Sequence, residues 1–246
     1  MFELSTETRI SDLATEQPGM LTALKATGMF RDGGDTDMTI DQLCMNFGLN
    51  PQIIFDVLLR AQTEEAPENI DISELENLSL AEIVTHIEEV HHKTLRGKLP
   101  TMVEQLVRVA AEYGGNDERL YDLQVLFEKV AADLDEHMLH EEEALFPMCR
   151  SMSENGEFKV TRCGDRVGGP IQCMKNDHDQ MKTELKRLSE LSDGFSAPEG
   201  VSEQYRDILK QLEEFAADTV VHIYKEDHLL FPRAVETQAE IRTASA

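Results

Sequence analysis

Two histidine–glutamate pairs with the same spacing are the residues of this chain best suited to chemistry. The first pair is His137 with Glu141 and the second is His222 with Glu226, and Leu-Phe-Pro closes both motifs, so that each reads His-x3-Glu-x3-Leu-Phe-Pro. Residues four apart lie on one face of a helix. Imidazole and carboxylate groups on one face suit an iron, manganese or zinc ion. The alternative for either pair alone is a solvated surface pair.

Two further histidines stand at matching distances before these pairs. His92 precedes His137 by 45 residues (137 − 92), and His178 precedes His222 by 44 (222 − 178). The region is therefore a repeat, in which a helix with one histidine is followed by a helix with His-x3-Glu. Two carboxylates at one buried level repel each other strongly, and bound cations remove that cost. The other histidines fall outside this register and are expected to be surface or core polar residues: His86, His91, His140 and His228.

Four long helices must position these side chains. Apolar residues recur at helical spacing, glycines interrupt the pattern at Gly114, Gly115 and Gly194, and strand-like alternation is nowhere sustained. The sequence therefore predicts an all-α fold, an antiparallel four-helix bundle. The predicted helices cover about 79–112, 117–152, 170–192 and 199–237, with one irregular connection at 153–169.

A small helical N-terminal domain is predicted before the bundle. The expected division is a domain at 1–66, an acidic linker at 67–78, the bundle at 79–237 and a C-terminal tail at 238–246. The first domain has the rhythm of a helix-turn-helix unit. Its 4 basic and 11 acidic residues leave no basic surface for DNA, so a DNA-binding role is disfavoured.

Composition excludes further classes of function. Asp and Glu outnumber Lys and Arg by 48 to 23, which gives a formal net charge of −25 over 246 residues. Such a polyanion repels nucleic acid and anionic lipid, so neither is expected as a partner. With no apolar run long enough for a membrane span and no signal-like start, we expect a cytoplasmic protein. Its four cysteines are then expected to be free thiols: Cys44, Cys149, Cys163 and Cys173.

The pattern as a whole resembles the hemerythrin-like di-iron proteins of the repair-of-iron-centres family, also called iron–sulfur cluster repair or ScdA/YtfE-type proteins. The resemblance rests on residues 80–84 through His92, Leu99-Pro100, His-x3-Glu-Glu-x2-Leu-Phe-Pro at 137–147, Asn176-Asp177-His178-Asp179, and the motif at 222–232. It implies a pair of iron ions with an oxo or hydroxo bridge, two bridging glutamates and two histidines for each iron. The ligands it implies are His92, His137, Glu141, His178, His222 and Glu226.

The resemblance also implies a function. Members protect or repair iron–sulfur clusters damaged by nitrosative or oxidative stress, through binding or reduction of nitric oxide or peroxide, or through release of iron. The alternative is a protein that binds or senses nitric oxide or dioxygen without repair. Asp133 and Asp177 are expected to line a path to the metals, and the alternative is that both are solvated acids. The expected partners are small diatomic or peroxide ligands, damaged iron–sulfur proteins and, through the N-terminal domain, a second copy of the chain.

Two positions depart from related patterns. Oxygen-carrying hemerythrins place a further histidine one turn after the histidine of the third helix, and this chain has Lys182 there. Coordination positions are thereby left for exogenous ligands. Family members carry Cys-Cys-Gly-Gly in the N-terminal domain, where this chain has Arg31-Asp32-Gly33-Gly34. Any step that needs the paired thiols is therefore in doubt for this protein.

Overall fold

Helices account for almost all of the regular structure in the described residues. A computed structural model describes residues 4–17, 20–21, 24, 30, 34–47, 51, 54, 58, 70, 72–158 and 166–244. Within these ranges the β-type pairing is an isolated antiparallel bridge between Arg9 and Thr39. No helix in the same ranges is long and apolar enough to cross a membrane.

The N-terminal region has a hydrophobic cluster of its own. Helices α1 (Ile10–Glu16) and α2 (Ile40–Phe47) follow the two bridge residues and bury Ile10, Leu13, Leu43 and Cys44 against one another. The predicted helix after Pro51 is described only at positions 51, 54 and 58, and Arg31, Asp32 and Gly33 lie outside the described residues. The buried position of Cys44 agrees with a structural thiol.

Four long helical runs form the bundle, and three of them contain a π-helical segment. The first bundle helix consists of α4 (Leu80–Ile87), π1 (Glu88–His92) and α5 (Lys93–Tyr113). The second consists of α6 (Arg119–His140), π2 (Glu141–Leu145) and α7 (Phe146–Asn155). The third is α8 (Gly168–Leu191), and the fourth consists of α9 (Glu203–Lys225), π3 (Glu226–Leu230) and α10 (Phe231–Ala244). The predicted four-helix bundle is confirmed.

Local signals explain where these helices begin and end. Ser79 and Glu82 form a reciprocal capping box, in which Ser79 Oγ accepts from Glu82 N at 3.3 Å and Glu82 Oε2 accepts from Ser79 N at 2.8 Å. At α9, Ser202 Oγ accepts from the backbone N–H of Tyr205 as a simple N-cap. Gly156 ends α7 with φ 64°, a conformation that glycine adopts without strain.

The histidine–glutamate level lies between two hydrophobic clusters. Each bundle helix contributes to both, for example Ile87 and Leu95 on the two sides of His92, and Leu145 and Leu134 on the two sides of His137. The ligand-type side chains therefore sit in the middle of an otherwise apolar core. This placement makes their charges costly unless they are compensated.

Residues on both flanks of the predicted bundle pack against it. Helix α3 (Ser73–Glu76) lies in the expected linker, and its Leu75 belongs to the same hydrophobic cluster as Leu80. Arg233 of the fourth bundle helix also stabilises α3, because its guanidinium donates a hydrogen bond to the backbone oxygen of Glu76 at 2.9 Å. At the other end α10 runs to Ala244, into the expected tail, because Ile241 packs against the cluster and Arg242 lies over the Phe158 ring.

Candidate metal centre

The structure brings the six sequence-predicted ligand residues to one buried level. They fall into two overlapping groups whose donor atoms lie within 4.8 Å of one another: His92, His222, Glu141 and Glu226 in one, and His137, His178, Glu141 and Glu226 in the other. None of the six is more than 4% exposed. Both glutamates belong to both groups, which is the arrangement that two bridging carboxylates require.

Short distances define the group that contains His137 and His178. Their Nε2 atoms are 3.2 Å apart. Glu141 Oε2 lies 3.4 Å from His137 Nε2, and Glu226 Oε2 lies 3.2 Å from His178 Nε2. Two nitrogens bound to one metal at about 2.1 Å, at about a right angle, would be about 3 Å apart, so this separation suits a shared cation.

The group that contains His92 and His222 shares the same two carboxylates. Glu141 Oε2 lies 3.3 Å from His92 Nε2, and Glu226 Oε1 lies 4.0 Å from it. His222 Nε2 is 2.7 Å from Glu226 Oε1. Phe146 and Phe231, from the two Leu-Phe-Pro motifs, stack on His92 and His178 and fix the planes of these rings.

Unsatisfied polar atoms show that the donor set fits a metal. Glu141 has no hydrogen-bond partner for either carboxylate oxygen, and the same holds for Glu226 Oε2 and His92 Nε2. Burying such atoms without a partner is costly, and a carboxylate is the most costly of them. Four imidazoles and two carboxylates with no thiolate are donors that suit iron, manganese or zinc.

The π-helical segments begin or end at the ligand-type residues. Segment π1 ends at His92, π2 begins at Glu141 and π3 begins at Glu226. Pro147 and Pro232 of the repeated motifs have no N–H for a carbonyl four residues earlier, so the helical hydrogen bonding must change just before them. Such π segments are rare and concentrate at functional sites. Sequence periodicity did not predict them. The repeated Leu-Phe-Pro was a signal for π2 and π3, and π1 has no such motif after it.

Two further acids lie beside the Nδ1 atoms of His92 and His178. The sequence analysis did not predict either of them. Glu142 Oε1 lies 2.8 Å from His92 Nδ1, and Arg96 Nη1 donates to the same oxygen at 2.7 Å. Asp227 Oδ1 lies 2.9 Å from His178 Nδ1. Carboxylates in this position orient a metal-bound imidazole and make it a stronger ligand. The available signal was an acid directly after each glutamate of the repeat, Glu141-Glu142 and Glu226-Asp227.

The electrostatics of this level favour a positive charge. Burial lowers the pKa of His178, but the carboxylates of Asp227 and Glu226 outweigh burial and raise the pKa to about 10. Burial raises the pKa of Asp227, but His178 and the Lys182 ammonium, 3.2 Å away, outweigh it and hold this pKa at about 2. Lys182, which stands where oxygen-carrying hemerythrins have a further histidine, thus pairs with the acid behind His178.

An acidic cleft reaches the centre between the second and third bundle helices. It has a volume of about 240 Å³, and its walls include His137 itself together with Asp133, Asp177 and Glu184. Asp177 Oδ2 lies 3.6 Å from His137 Nδ1, near enough for the imidazole to lower the pKa of the Asp177 carboxyl. Asp133 instead accepts from Lys129 at 2.6 Å and from Gln180 at 3.2 Å. Both predicted acids therefore border one cleft, and Asp177 alone of the two reaches a ligand-type histidine.

On the opposite side of the centre, a nitrogen-rich cluster covers His222. The ring of His91 is buried and stacks on His222 with centroids 5.2 Å apart and an interplanar angle of 8°. Lys225 Nζ lies 3.0 Å from His91 Nε2 and 3.1 Å from His86 Nε2. Burial is the first cause that lowers the pKa of His91, to about 3, so this neutral ring can accept the Lys225 hydrogen bond. His140 is exposed and borders the acidic cleft, and Tyr224 contacts His228; neither of these histidines belongs to the two donor groups.

Comparison with known proteins identifies the family. The hemerythrin family model, described as the hemerythrin HHE cation binding domain, matches residues 83–234. The chain belongs to this family. The match spans all six ligand-type residues and all three π segments of this hemerythrin-family chain, and it confirms the resemblance seen in its motifs.

Curated relatives place this family member beside iron–sulfur cluster repair proteins. The iron–sulfur cluster repair protein YtfE of Dickeya chrysanthemi is 30% identical over 198 residues, which cover 72% of this chain and 82% of the relative. YtfE of Pectobacterium atrosepticum is 27% identical over 206 residues, with coverages of 83% and 81%. A probable iron–sulfur cluster repair protein of Haemophilus influenzae is 26% identical over 234 residues. The aligned region covers 92% of this chain and 96% of that relative.

Proposed function

We propose that this chain is a cytoplasmic non-haem di-iron protein that repairs or protects iron–sulfur clusters damaged by nitrosative or oxidative stress. The observation that carries the proposal is the pair of buried donor groups that share both Glu141 and Glu226. Relatives that cover most of the chain carry the name of iron–sulfur cluster repair proteins. Two bound irons would supply redox chemistry and open coordination positions for nitric oxide, dioxygen or peroxide.

The protein's own residues have distinct tasks in this proposal. His92 and His222 would hold one iron and His137 and His178 the other, and Glu141 and Glu226 would offer carboxylate oxygens to both. Glu142 and Asp227 fix the tautomer of His92 and His178 by accepting from Nδ1, which leaves each Nε2 free to bind metal. Their hydrogen bonds turn both rings toward the bridging carboxylates.

Access to the centre is the task that we assign to Asp133 and Asp177. Both border the cleft that reaches His137. Acids along a narrow passage attract cations and pass protons or water to and from the buried level. Asp177 can take or return a proton at His137 Nδ1, since its carboxylate faces that nitrogen. Its side chain is 47% exposed, so it lies between solvent and this histidine.

A second function, nitric oxide or dioxygen binding without repair, is favoured by one observation. Arg31 and Asp32 replace the paired cysteines of the family, so the N-terminal domain offers no thiol pair for redox steps or for handing iron onward. Damaged iron–sulfur proteins are the proposed partners in the first case only. A homodimer through the N-terminal domain is compatible with either function.

Iron analysis and nitric oxide kinetics test these functions. Freshly iron-loaded protein should contain about two irons per chain, and the Glu141→Gln variant should contain fewer, while the matched exposed control Glu143→Gln should keep both. A protein without iron refutes the proposal. Under reducing conditions, continuing consumption of nitric oxide and reactivation of a damaged iron–sulfur enzyme support repair, whereas uptake that stops at the stoichiometric point supports the binding function.

A further inference from the structure

The two copies of the repeat differ in what covers their paired histidines. Asp177 and His91 occupy equivalent places, since each directly precedes the ligand-type histidine of the first helix in its copy of the repeat. Asp177 faces the edge of His137 at 3.6 Å and leaves it open to the cleft. His91 instead lays its ring on the face of His222. One copy therefore presents an acid beside an imidazole that lines the cleft, and the other covers its imidazole with a second ring.

The residue three positions after the histidine of each His-x3-Glu motif also differs between the copies, open in one and covering in the other. In the first copy this residue is His140, which is exposed and forms part of the cleft wall. In the second copy it is Lys225, which donates to the Nε2 atoms of the buried His91 and the half-buried His86. The side chains that leave a cleft in one copy are thus packed into a closed layer in the other.

The two sides of the centre also differ in charge, since the cleft is acidic and the opposite layer carries a lysine. The cleft combines Asp133, Glu136, Asp177 and Glu184 around His137, with Lys129 placed between Asp133 and Glu184. The opposite layer carries the Lys225 ammonium. A passage lined with carboxylates concentrates cations, and an ammonium over a closed layer repels them.

We propose that the metal position of His137 and His178 exchanges its ion directly with solvent through the acidic cleft, and that His91 and Lys225 seal the position of His92 and His222. This inference rests on the proposed di-metal centre and assigns different roles to its two positions. The cleft position releases and takes up one ion per chain. The sealed position keeps its ion until the first has left, and so maintains the bridging carboxylates in place for reloading.

Chelator-driven release from the full-length, Fe(II)-loaded protein under anaerobic conditions tests the assignment. With excess ferrozine, the wild type should lose iron in two phases of equal amplitude, one iron per chain in each. The Mössbauer spectrum of protein stopped after the first phase should show a single remaining mononuclear iron site. Release of both irons in one phase overturns the inference without affecting the proposed function, whereas protein that binds no iron overturns the proposed function itself.

Three variants assign the phases. Lys225→Met keeps the length of the side chain and removes its charge, so the slow phase should accelerate about tenfold while the fast phase is unchanged. Asp133→Asn removes a carboxylate from the cleft wall without touching a ligand-type histidine, so it should slow the fast phase about tenfold, with little effect on the other. Lys210→Met removes an exposed lysine that pairs with Glu214 on the same helix, and both phases should match those of the wild type.

The variants also exclude a general loosening of the fold. Circular dichroism melting of each iron-loaded variant shows whether the bundle is intact, and His91→Phe, which keeps a flat ring over His222, should preserve a slow second phase. A slow phase unchanged in Lys225→Met overturns the assignment of the sealed position. A fast phase unchanged in Asp133→Asn, or equal slowing of both phases, overturns the assignment of the exchanging position.

Discussion

The Nε2 atoms of His137 and His178 face each other at 3.2 Å, although the residues are 41 apart in the chain and lie on different helices. Each ring has a carboxylate near its Nδ1 side, Asp177 for His137 and Asp227 for His178. A carboxylate on that side favours a proton on Nδ1 and leaves Nε2 as a donor to metal. The pair is therefore arranged around the place of a cation that both rings would share.

Removal of metal should make the stability of the protein depend on pH. Burial lowers the pKa of His178, but Asp227 and Glu226 outweigh it and raise the pKa from 6.5 to about 10. A raised histidine pKa stabilises the fold fully below the unfolded value of 6.5, and this contribution is lost as pH rises toward 10. The metal-free protein should therefore melt about 5 °C lower at pH 10 than at pH 6.5.

Differential scanning calorimetry of both forms across this pH range measures the effect. The iron-loaded protein should change much less, because the bound cations then supply the positive charge that protonated His178 supplies in the metal-free protein. The metal-free protein should also melt below the iron-loaded one throughout. Identical melting curves for the two forms would show that Glu141 and Glu226 do not share a metal site.

Asp227→Asn should weaken metal binding while leaving the fold in place. The amide can still hydrogen-bond to His178 Nδ1, but it lacks the negative charge that makes the ring a stronger donor. We expect about a tenfold loss of metal affinity in chelator competition, since changes to such partners cost about 10-fold to 100-fold. Asp207→Asn, an exposed acid on the same bundle helix, is the matched control and should bind like the wild type. Equal affinity of both variants would remove Asp227 from the site.

The cysteines should differ sharply in their reactivity. Cys149 is buried, and burial is the main cause that raises the pKa of its thiol to about 12, so almost no thiolate exists near pH 8. Cys173 is exposed on α8. In a Cys163→Ser protein, whose substituted position lies outside the described residues, iodoacetamide should modify Cys173 alone, as read by mass spectrometry. Denaturant should release Cys44 and Cys149 for modification, and rapid labelling of Cys149 in the folded protein would contradict its burial.

The N-terminal domain should be separable from the metal centre only if the cut spares α3. A chain that begins at residue 70 retains Leu75 in the hydrophobic cluster and the Arg233 bond to Glu76, so it should keep its irons and its nitric oxide reactivity. A chain that begins at residue 79 should lose stability, and Leu75→Ala in the full chain should cost about 2 kcal/mol in the free energy of unfolding. Loss of iron from the chain that begins at residue 70 would show that the N-terminal domain takes part in the site.

Sequence periodicity was sufficient to predict the four helices and the two His-x3-Glu pairs, and the family resemblance implied the set of six ligand-type residues. His137 and Glu141 share a face because 3.6 residues make a helical turn, and the repeat at His222 and Glu226 places an equal pair on another helix. Such short-range geometry depends only on local structure. The same reasoning failed at the helix ends, since the packing of Leu75 and Ile241 against the bundle depends on residues distant in sequence.

Only the tertiary structure decided what surrounds these ligand-type residues. Glu142 reaches His92 from 50 residues away, and Asp227 reaches His178 from 49, because the depth at which two helices pack brings their side chains together. The different surroundings of the neighbouring His91 and His92 also depended on it, and π1 ends at His92. A one-residue difference rotates a side chain by about 100° around the helix, so packing turns His92 toward the carboxylates and lays His91 on His222.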